Sequence, residues 1–231
     1  MGKREVRRWI ETCLDRVYPP ASCYACGNEI FDSGRNDLCR DCCEKLETVP
    51  NPKTYEEIGT FSYCRYNDFS RNIILRAKDG DEPFLLRPIA LFLADVMKEN
   101  GIGADVLAFV PSMKKTVRRR GYDHMKRIAT ILSRETDIPI LKGCRRIAFH
   151  ADQTALRDRE RFENVRNDFV YNGEDLTGKT VLLIDDIITT GATLNACYGA
   201  LQKANPRAVI GLTFARAHNR EEKECVPSKT F

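Results

Sequence analysis

Two adjacent acids, Asp185 and Asp186, stand between an apolar run and a hydroxyl-rich turn, and this pattern carries the clearest chemistry in the chain. Positions 181–184 are all apolar, which is typical of a strand buried on both faces, so we expect the strand to end at the acids. Apolar residues recur at helical spacing over positions 194–204, so a helix follows the turn. The turn between strand and helix consists of Thr189, Thr190, Gly191, Ala192 and Thr193.

This order of strand, turn and helix suits the binding of a phosphorylated sugar. In an open parallel sheet, ligands bind beyond the carboxyl ends of the strands, where the N–H groups and the dipole of the next helix attract anions. Gly191 lets the backbone approach closely and the threonine hydroxyls donate hydrogen bonds, so the turn fits a terminal phosphate. Ionised carboxylates only accept hydrogen bonds, which matches the two hydroxyls of a ribose diol. The acids and the turn together indicate a ribose 5-phosphate.

Other phosphate-binding loops fit this segment poorly. No lysine follows Gly191 as a Walker A loop requires, and the glycine spacing of a dinucleotide-binding loop is missing there. The alternative is that the acids cap a helix and the threonines fill a turn. The segment resembles the phosphoribosyl pyrophosphate signature of the type I phosphoribosyltransferases. That resemblance implies that Asp185 and Asp186 contact the ribose hydroxyls and support catalysis, that the turn binds the 5-phosphate, and that magnesium accompanies phosphoribosyl pyrophosphate.

A second chemical pattern is a pair of Cys-x-x-Cys motifs near the start of the chain. Twelve residues separate the two pairs, which are Cys23 with Cys26 and Cys39 with Cys42. Four thiolates at such spacing predict a structural zinc site, which has no open position for a substrate. Cys43 adjoins Cys42, so either could supply the fourth ligand, although the spacing favours Cys42. The alternative is a disulfide pair or unengaged thiols.

Composition places the chain among ordinary globular proteins of the cytoplasm. Its 231 residues are 42% hydrophobic and 30% charged, with a net charge of +4 that is too small to indicate nucleic-acid binding by itself. Ten cysteines are too few for a disulfide-built scaffold of this size. The first residues lack an apolar signal core, and no apolar run reaches the roughly eighteen residues of a membrane span. We therefore expect a cytoplasmic protein without an integral membrane segment.

Strand and helix patterns alternate along the remainder of the chain, which predicts an α/β fold with a mostly parallel sheet and flanking helices. We expect residues 1–50 to form an amino-terminal helix and zinc ribbon, and residues 51–231 to form the main domain. Strands are expected at positions 58–66, 106–112, 138–141, 168–171, 181–184 and 207–217. Helices are expected at positions 6–18, 72–78 and 87–100, from Gly121 onward, and at 194–204.

Two basic segments are expected to form loops near the ligand. The first follows the strand at 106–112 and places several cations where a pyrophosphate would lie. We assign its pyrophosphate side to Ser112, Arg119, Arg120 and Gly121. The second runs from Gly143 to Phe169 and is long and polar, as an active-site lid would be. We assign to this lid the residues Arg145, Gln153, Arg161 and Asn164. The alternative for both segments is a solvated surface.

Taken together, these motifs resemble the ComF family over nearly the whole chain. The likeness rests on the cysteine motifs, the phosphoribosyl pyrophosphate signature, the segment 120–122 and the pattern Gln153, Leu156, Arg161, Asn164 and Phe169. ComF proteins commonly read Arg-Gly-Phe-Asn-Gln from position 120, whereas this chain has Tyr122, Asp123 and His124 there. The resemblance implies a type I phosphoribosyltransferase-like domain with an amino-terminal zinc ribbon and a role in DNA uptake during natural competence. It also implies single-stranded DNA and a competence helicase as partners.

Three functions are consistent with these patterns, and we favour the first. It is a ComF-type protein that binds phosphoribosyl pyrophosphate and works in handling incoming single-stranded DNA, with a phosphoribosyltransferase activity whose acceptor is unknown. The second is a nucleotide-salvage transferase, which the resemblance disfavours because such enzymes usually carry an acid where this chain has Thr189. The third is a non-catalytic protein that senses its ligand. His124 and His150 are candidate general bases, although a lone histidine is more often a packing residue.

Overall fold

The computed structural model describes residues 22–30, 36–55, 57–79, 82–147 and 168–217, and the statements below concern those residues. The strands are β1 (Lys53–Tyr55), β2 (Ile58–Arg65), β3 (Val106–Phe109), β4 (Cys144–Arg146), β5 (Phe169–Tyr171), β6 (Thr180–Ile188) and β7 (Ala208–Arg216). The helices are α1 (Arg40–Glu44), α2 (Asp68–Asp79), α3 (Leu86–Glu99), α4 (Lys114–Arg120), α5 (His124–Thr136) and α6 (Ala192–Gln202), with a short 3₁₀ helix at Pro83–Leu85.

Five strands form one sheet in the order β1-β2-β7-β6-β3. The pairs β2–β7, β7–β6 and β6–β3 are parallel, and only the edge pair β1–β2 is antiparallel. Strands β4 and β5 form a separate antiparallel hairpin. The mostly parallel α/β sheet that the sequence predicts is confirmed.

Each face of the sheet has its own hydrophobic core, and β6 contributes to both because successive side chains of a strand point to opposite faces. Leu182 and Ile184 pack in the first core, with residues of α2, α3 and α5. Val181 and Leu183 pack in the second core, with residues of α6 and the hairpin strand β5. This alternation decides where the two acids that follow must point.

The prediction that the strand ends at the acids is wrong. Strand β6 continues to Ile188 because β7 extends alongside it, with Asp185 opposite Thr213 and Ile188 opposite Arg216. On its other side β6 loses its partner earlier, since the pairing with β3 ends at Phe109 and Ile184. The acids therefore lie inside a strand but beyond the end of the neighbouring strand.

Three other local predictions need correction. The first basic segment forms helix α4 rather than a loop, since Lys, Arg and their neighbours favour helix and Gly121 ends it in a left-handed conformation with φ of 78°. The start of the second basic segment is strand β4, which pairs with β5. The strand expected at 138–141 reduces to an isolated bridge between Ile140 and Leu107. The remainder of that basic segment, 148–167, lies outside the described residues, as does the helix expected at 6–18.

The cysteine segment packs directly against the main body of the fold. Its buried side chains share the first core with residues of α2 and α3, and they include Cys23, Leu38, Cys42 and Leu46. Asp37, which is buried in this segment, pairs with Arg87 of α3. The division into residues 1–50 and 51–231 remains a prediction. Within the described parts of the chain, every helix is too short or too polar to cross a membrane.

Candidate functional site

The turn after β6 and the acid Asp185 border the same small hollow. Its lining includes the whole predicted phosphate turn, which is Thr189, Thr190, Gly191, Ala192 and Thr193. Thr189 and Thr190 are exposed, and helix α6 begins directly after Gly191. The structure thus brings together one predicted sugar-binding acid and all of the predicted phosphate turn at the amino end of a helix, where anions bind favourably.

Gly191 is required for the shape of this turn in two ways. Its φ is +83°, a conformation that other residues adopt at a cost. A Cβ atom at this position would also lie 2.9 Å from the Cβ of Tyr55, which is buried at the end of β1. The aromatic side chain of Tyr55 therefore sets how closely the turn can pack on the sheet.

We expect Gly191→Ala to destabilise the protein more than Gly178→Ala does. Gly178 has a similar φ of +77° but has no atom within 4 Å of an added Cβ, so it reports the conformational cost alone. That cost is about 1–2 kcal/mol at both positions. At Gly191 the contact with Tyr55 adds to it, so we expect a further loss of about 1 kcal/mol or more. Chemical denaturation of the two variants measures the difference, and equal losses would contradict the close packing.

Asp186 lies on the opposite face of the sheet from Asp185 and is held by two nitrogen groups. Its Oδ2 atom is 2.8 Å from Nε2 of His124, the first residue of α5, and forms an ion pair with Nζ of Lys78 near the end of α2. The three side chains are largely buried, with exposed fractions of 9% for Asp186, 8% for His124 and 18% for Lys78. A carboxylate so enclosed keeps its charge only because cationic and N–H partners face it.

The hydrogen bonds around His124 fix its tautomer. Nδ1 of His124 lies 3.4 Å from a guanidinium nitrogen of Arg120, and a guanidinium can only donate. Nδ1 must therefore accept, and Nε2 carries the proton that His124 donates to Asp186. Arg120 is itself fixed by two hydrogen bonds to Asp79, at 2.7 and 3.0 Å. His124 thus orients Asp186 rather than presenting a free general base.

The two acids have opposite pKa shifts. Burial and then the negative charge of Asp186 raise the pKa of Asp185. Burial opposes ionisation of Asp186 as well, but the hydrogen bond from His124 and the charge of Lys78 outweigh it and lower the pKa of that carboxyl. One acid is therefore held as a structural carboxylate, while the other, beside the turn, holds a proton more tightly than usual.

We expect Asp185→Asn to stabilise the folded protein increasingly as the pH rises above about 4. A raised pKa means that the folded state keeps a proton that the unfolded chain releases, so Asp185 costs stability as pH rises towards its folded pKa. Asparagine removes that cost, at about 1.4 kcal/mol per unit of pKa shift. Urea denaturation of both proteins at several pH values measures the difference. A gain that is the same at pH 4 and pH 7.5 would contradict the raised pKa.

The residues assigned to the pyrophosphate side occupy different surroundings. Arg120 is 13% exposed and is paired with Asp79, whereas Arg119 is 72% exposed and only 3.5 Å from the same acid. The hydroxyl of Ser112 donates to Asp123, the residue that caps α5. Gly121 ends α4. These four residues thus surround the junction between α4 and α5, next to His124.

Arg145, assigned to the lid, lies on β4 and lines a cavity of about 320 Å³. The other residues of this cavity are Met113, Lys114, Lys115, Arg146, Ile147 and Val170. Arg146 also lies close enough to Asp185 to lower its pKa, against the larger effect of burial. The cavity therefore combines basic and apolar side chains. The other lid assignments, Gln153, Arg161 and Asn164, lie outside the described residues, as does His150.

The four cysteines of the two Cys-x-x-Cys motifs meet at one point. The sulfur atoms of Cys23, Cys26, Cys39 and Cys42 all lie within 4.8 Å of one another, and those of Cys26 and Cys39 are 3.8 Å apart. Tetrahedral coordination with Zn–S bonds of about 2.3 Å sets sulfurs about 3.8 Å apart, so the cluster fits a zinc ion. The backbone N–H of Cys39 donates to the sulfur of Cys23 at 3.3 Å, and hydrogen bonds of this kind orient metal ligands.

Sequence reasoning missed two residues of the site. Lys78 is a single lysine near a helix end, and no local signal distinguishes it from a solvated one. Its role depends on α2 reaching the carboxyl end of β6, more than a hundred positions later in the chain. Tyr55 lies in a strand that the sequence did not indicate, because Lys53–Tyr55 is short and follows two prolines at positions 50 and 52.

Comparison with known proteins agrees with the geometry. The sequence profile of the phosphoribosyl transferase domain matches residues 116–230. Competence protein F of Haemophilus influenzae is 33% identical over 102 residues, which are 43% of this chain and 44% of that protein. Phosphoribosyltransferase domain-containing protein 1 of Xenopus tropicalis is 32% identical over 116 residues, which cover 38% of this chain and 51% of that protein. The chain thus spans about half the length of the curated relatives it matches.

Among solved structures, a hypoxanthine phosphoribosyltransferase from Staphylococcus aureus is 17% identical and covers 62% of this chain and 69% of its own, with a TM-score of 0.37. The strand order and the match to the phosphoribosyl transferase domain agree with the type I phosphoribosyltransferase fold. The match to the phosphoribosyl transferase domain includes the turn after β6. The chain therefore contains a region, residues 116–230, that matches the phosphoribosyl transferase domain, and it is similar over part of its length to competence protein F of Haemophilus influenzae.

Proposed function

We propose that this protein binds phosphoribosyl pyrophosphate with magnesium at the carboxyl end of β6 and transfers the phosphoribosyl group to an acceptor. The observation that carries the proposal is the hollow that Asp185 shares with the turn from Thr189 to Thr193. The turn receives the 5-phosphate, because its hydroxyls and the amino end of α6 all donate hydrogen bonds to an anion. The match to the phosphoribosyl transferase domain supports the same ligand.

Asp185 binds the sugar by accepting hydrogen bonds from the ribose hydroxyls. Lys78 and His124 hold Asp186 on the opposite face of β6, where its carboxylate supports the strand that presents Asp185. Magnesium prefers hard oxygen ligands such as carboxylates and hydroxyls, so Asp185 and the threonines of the turn are suitable ligands for that ion. When bound, magnesium neutralises charge on the pyrophosphate that leaves the sugar. The basic residues bordering β4 and α4, Lys114, Lys115 and Arg145, attract the same charge.

Calorimetry with phosphoribosyl pyrophosphate and magnesium tests the proposal directly. We expect Asp185→Asn to weaken binding at least tenfold, since the carboxylate is replaced by an amide that offers one acceptor oxygen. The control is Asp175→Asn, an exposed acid in the loop before β6, at the far end of the strand from the turn. Equal affinities for the wild type and Asp185→Asn would refute the sugar contact, and absence of binding to the wild type would refute the function.

Release of pyrophosphate separates transferase activity from ligand sensing. A transferase releases pyrophosphate when a suitable acceptor is present, and a nucleotide-salvage enzyme does so with a free nucleobase. A sensor binds the ligand without release. A coupled assay for pyrophosphate, run across nucleobases and other nucleophilic acceptors, assigns the protein to one of these classes.

We further propose a cytoplasmic role in DNA uptake, through contact with single-stranded DNA and a competence helicase. The likeness to competence protein F supports this role. Contacts between basic side chains and phosphates weaken steeply as salt increases. Single-strand affinity measured against salt therefore tests the contact, and negligible binding at low salt would remove DNA as a direct partner.

A further inference from the structure

Two cysteines outside the cluster lie against each other between the hairpin and a helix. The sulfur of Cys144, the first residue of β4, is 3.4 Å from the sulfur of Cys197, in the middle of α6. The two residues are 53 positions apart, so this contact joins distant parts of the chain. Neither thiol takes part in the cysteine cluster or in the function proposed above.

The surroundings make the two thiols unequal. Cys197 is fully buried in the second core, whereas Cys144 is only partly buried and lies opposite Tyr171 in the hairpin. A hydrogen bond from Cys197 lowers the pKa of Cys144, while the same contact raises the pKa of Cys197. Cys144 is therefore the thiol that ionises more readily and can be reached from solvent, and the buried thiol of Cys197 lies in contact with it.

The distance between the sulfurs allows a covalent bond with a small movement. A disulfide has an S–S length of about 2.05 Å, so the sulfurs must approach by roughly 1.4 Å from their present 3.4 Å. Strand β4 has only three residues and pairs with β5 alone, so it can shift more easily than a central strand. Cys64 provides a contrast, because its buried thiol donates to the carbonyl of Phe214 and faces no other sulfur at bonding distance among the described residues.

We propose that Cys144 and Cys197 form a reversible disulfide when the protein meets a peroxide. The thiolate of Cys144 attacks one peroxide oxygen and the O–O bond breaks, which leaves a sulfenic acid on Cys144 and releases hydroxide; the hydroxide takes up the proton that Cys144 lost on ionisation and becomes the first water. The thiol of Cys197 then attacks that sulfur, the S–S bond forms, and the S–O bond breaks to release the second water with the proton of Cys197. Each sulfur loses one electron and the peroxide gains two. A dithiol reductant reverses the bond by exchange.

The bond would fasten the hairpin to the helix that begins at the phosphate turn. Strand β4 carries Arg145 and Arg146, which line the basic cavity, and Arg146 lies close enough to Asp185 to lower the pKa of that acid, against the larger effect of burial. When the disulfide holds the β4–β5 hairpin against α6, these two arginines cannot move towards the pyrophosphate of the ligand. We therefore expect the oxidised protein to bind phosphoribosyl pyrophosphate severalfold more weakly. This consequence rests on the proposed function, whereas formation of the bond does not.

Peptide mapping of the full chain, loaded with zinc, tests the bond without any ligand. The reduced protein is treated with about one equivalent of hydrogen peroxide, blocked with iodoacetamide under denaturing conditions, and digested. We expect a peptide pair linking Cys144 to Cys197, free Cys64 in the same sample, and loss of the link after treatment with dithiothreitol. Cys144 recovered as sulfinic acid while Cys197 is alkylated, or links spread over other cysteines, would overturn the proposal.

Thermal melting supplies a second readout with matched variants. A cross-link that closes a long loop restricts the unfolded chain, so oxidation should raise the melting temperature of the wild type by several degrees. Cys144→Ala should lose this rise and Cys64→Ala should keep it; a rise that persists in Cys144→Ala would contradict the assignment.

Calorimetry of the oxidised and reduced wild type with phosphoribosyl pyrophosphate then tests whether the disulfide regulates binding. Equal affinities would refute regulation, while failure of both forms to bind would refute the proposed function and leave the disulfide standing.

Discussion

Cys42→Ser is expected to abolish tight zinc binding, whereas Cys43→Ser should leave it intact. The sulfur of Cys42 belongs to the cluster in which all sulfurs lie within 4.8 Å of one another. The sulfur of Cys43 instead faces the carbonyl oxygen of Leu38, 4.0 Å away. The two cysteines are adjacent in α1, so this pair of variants compares a ligand with its neighbour in the same helix.

The expected loss is large because a structural zinc contributes folding energy outright. Apparent binding free energies of structural zinc in small domains are about 10–16 kcal/mol, and a site with three thiolates retains only part of that. Cys42 is 1% exposed and packs in the first core, so the hydroxyl of a serine would be buried there without the metal. We therefore expect the loss of zinc to lower the melting temperature of the whole protein as well.

Metal analysis of the purified proteins measures the first effect. We expect close to one zinc per chain in the wild type and in Cys43→Ser, and almost none in Cys42→Ser after dialysis against a weak chelator. Added zinc should restore the melting temperature of the chelated wild type but not that of Cys42→Ser. Loss of zinc from Cys43→Ser, with retention in Cys42→Ser, would assign the fourth ligand to the other cysteine.

Local pattern was sufficient to predict the parts of the site that are continuous in sequence. The apolar run before the acids, the threonines with Gly191, and the apolar spacing after them together indicated β6, the turn and α6. The spacing of the cysteines likewise predicted the four ligands that meet in space. In both cases the residues that cooperate lie within about twenty positions of one another, so short-range rules were adequate.

Contacts between distant segments could not be predicted in the same way. The extent of β6 depends on the length of β7, and only when β6 continues past Ile184 do Asp185 and Asp186 point to opposite faces. The sequence therefore suggested two equivalent acids, whereas the structure gives them different partners. Helix α4 replaces the loop that the density of charge predicts, because lysine and arginine have a high helix propensity.

Lys78→Met is expected to destabilise the protein strongly, because it removes the cation that pairs with Asp186. The carboxylate of Asp186 is 9% exposed, and after the substitution only the N–H of His124 would face it at hydrogen-bonding distance among the described residues. Breaking a buried ion pair by removing one partner costs about 3–5 kcal/mol. In a protein of this size that lowers the melting temperature by about 10 °C.

Two further variants separate this charge effect from the loss of a long side chain. Lys98→Met makes the same substitution in the last turn of α3, where the lysine is exposed, and should change stability by less than about 0.5 kcal/mol. Lys78→Met combined with Asp186→Asn removes both charges, so we expect most of the lost stability to return. If the double variant loses as much unfolding free energy as the two single variants together, or more, the ion pair is contradicted.

The pH dependence of Lys78→Met provides the final check on the same carboxylate. The pKa of Asp186 is lowered in the folded wild type, so its contribution is present above the usual carboxyl pKa of about 3.9 and is lost as the pH falls through the folded value. Without Lys78 the pKa of Asp186 in the folded state is lowered less. The difference in unfolding free energy between wild type and variant should therefore become smaller as the pH falls below 4. Urea denaturation from pH 3 to pH 7 measures it. A difference that stays constant over that range would mean that Lys78 stabilises the fold through packing alone, and that Asp186 is held in place by His124.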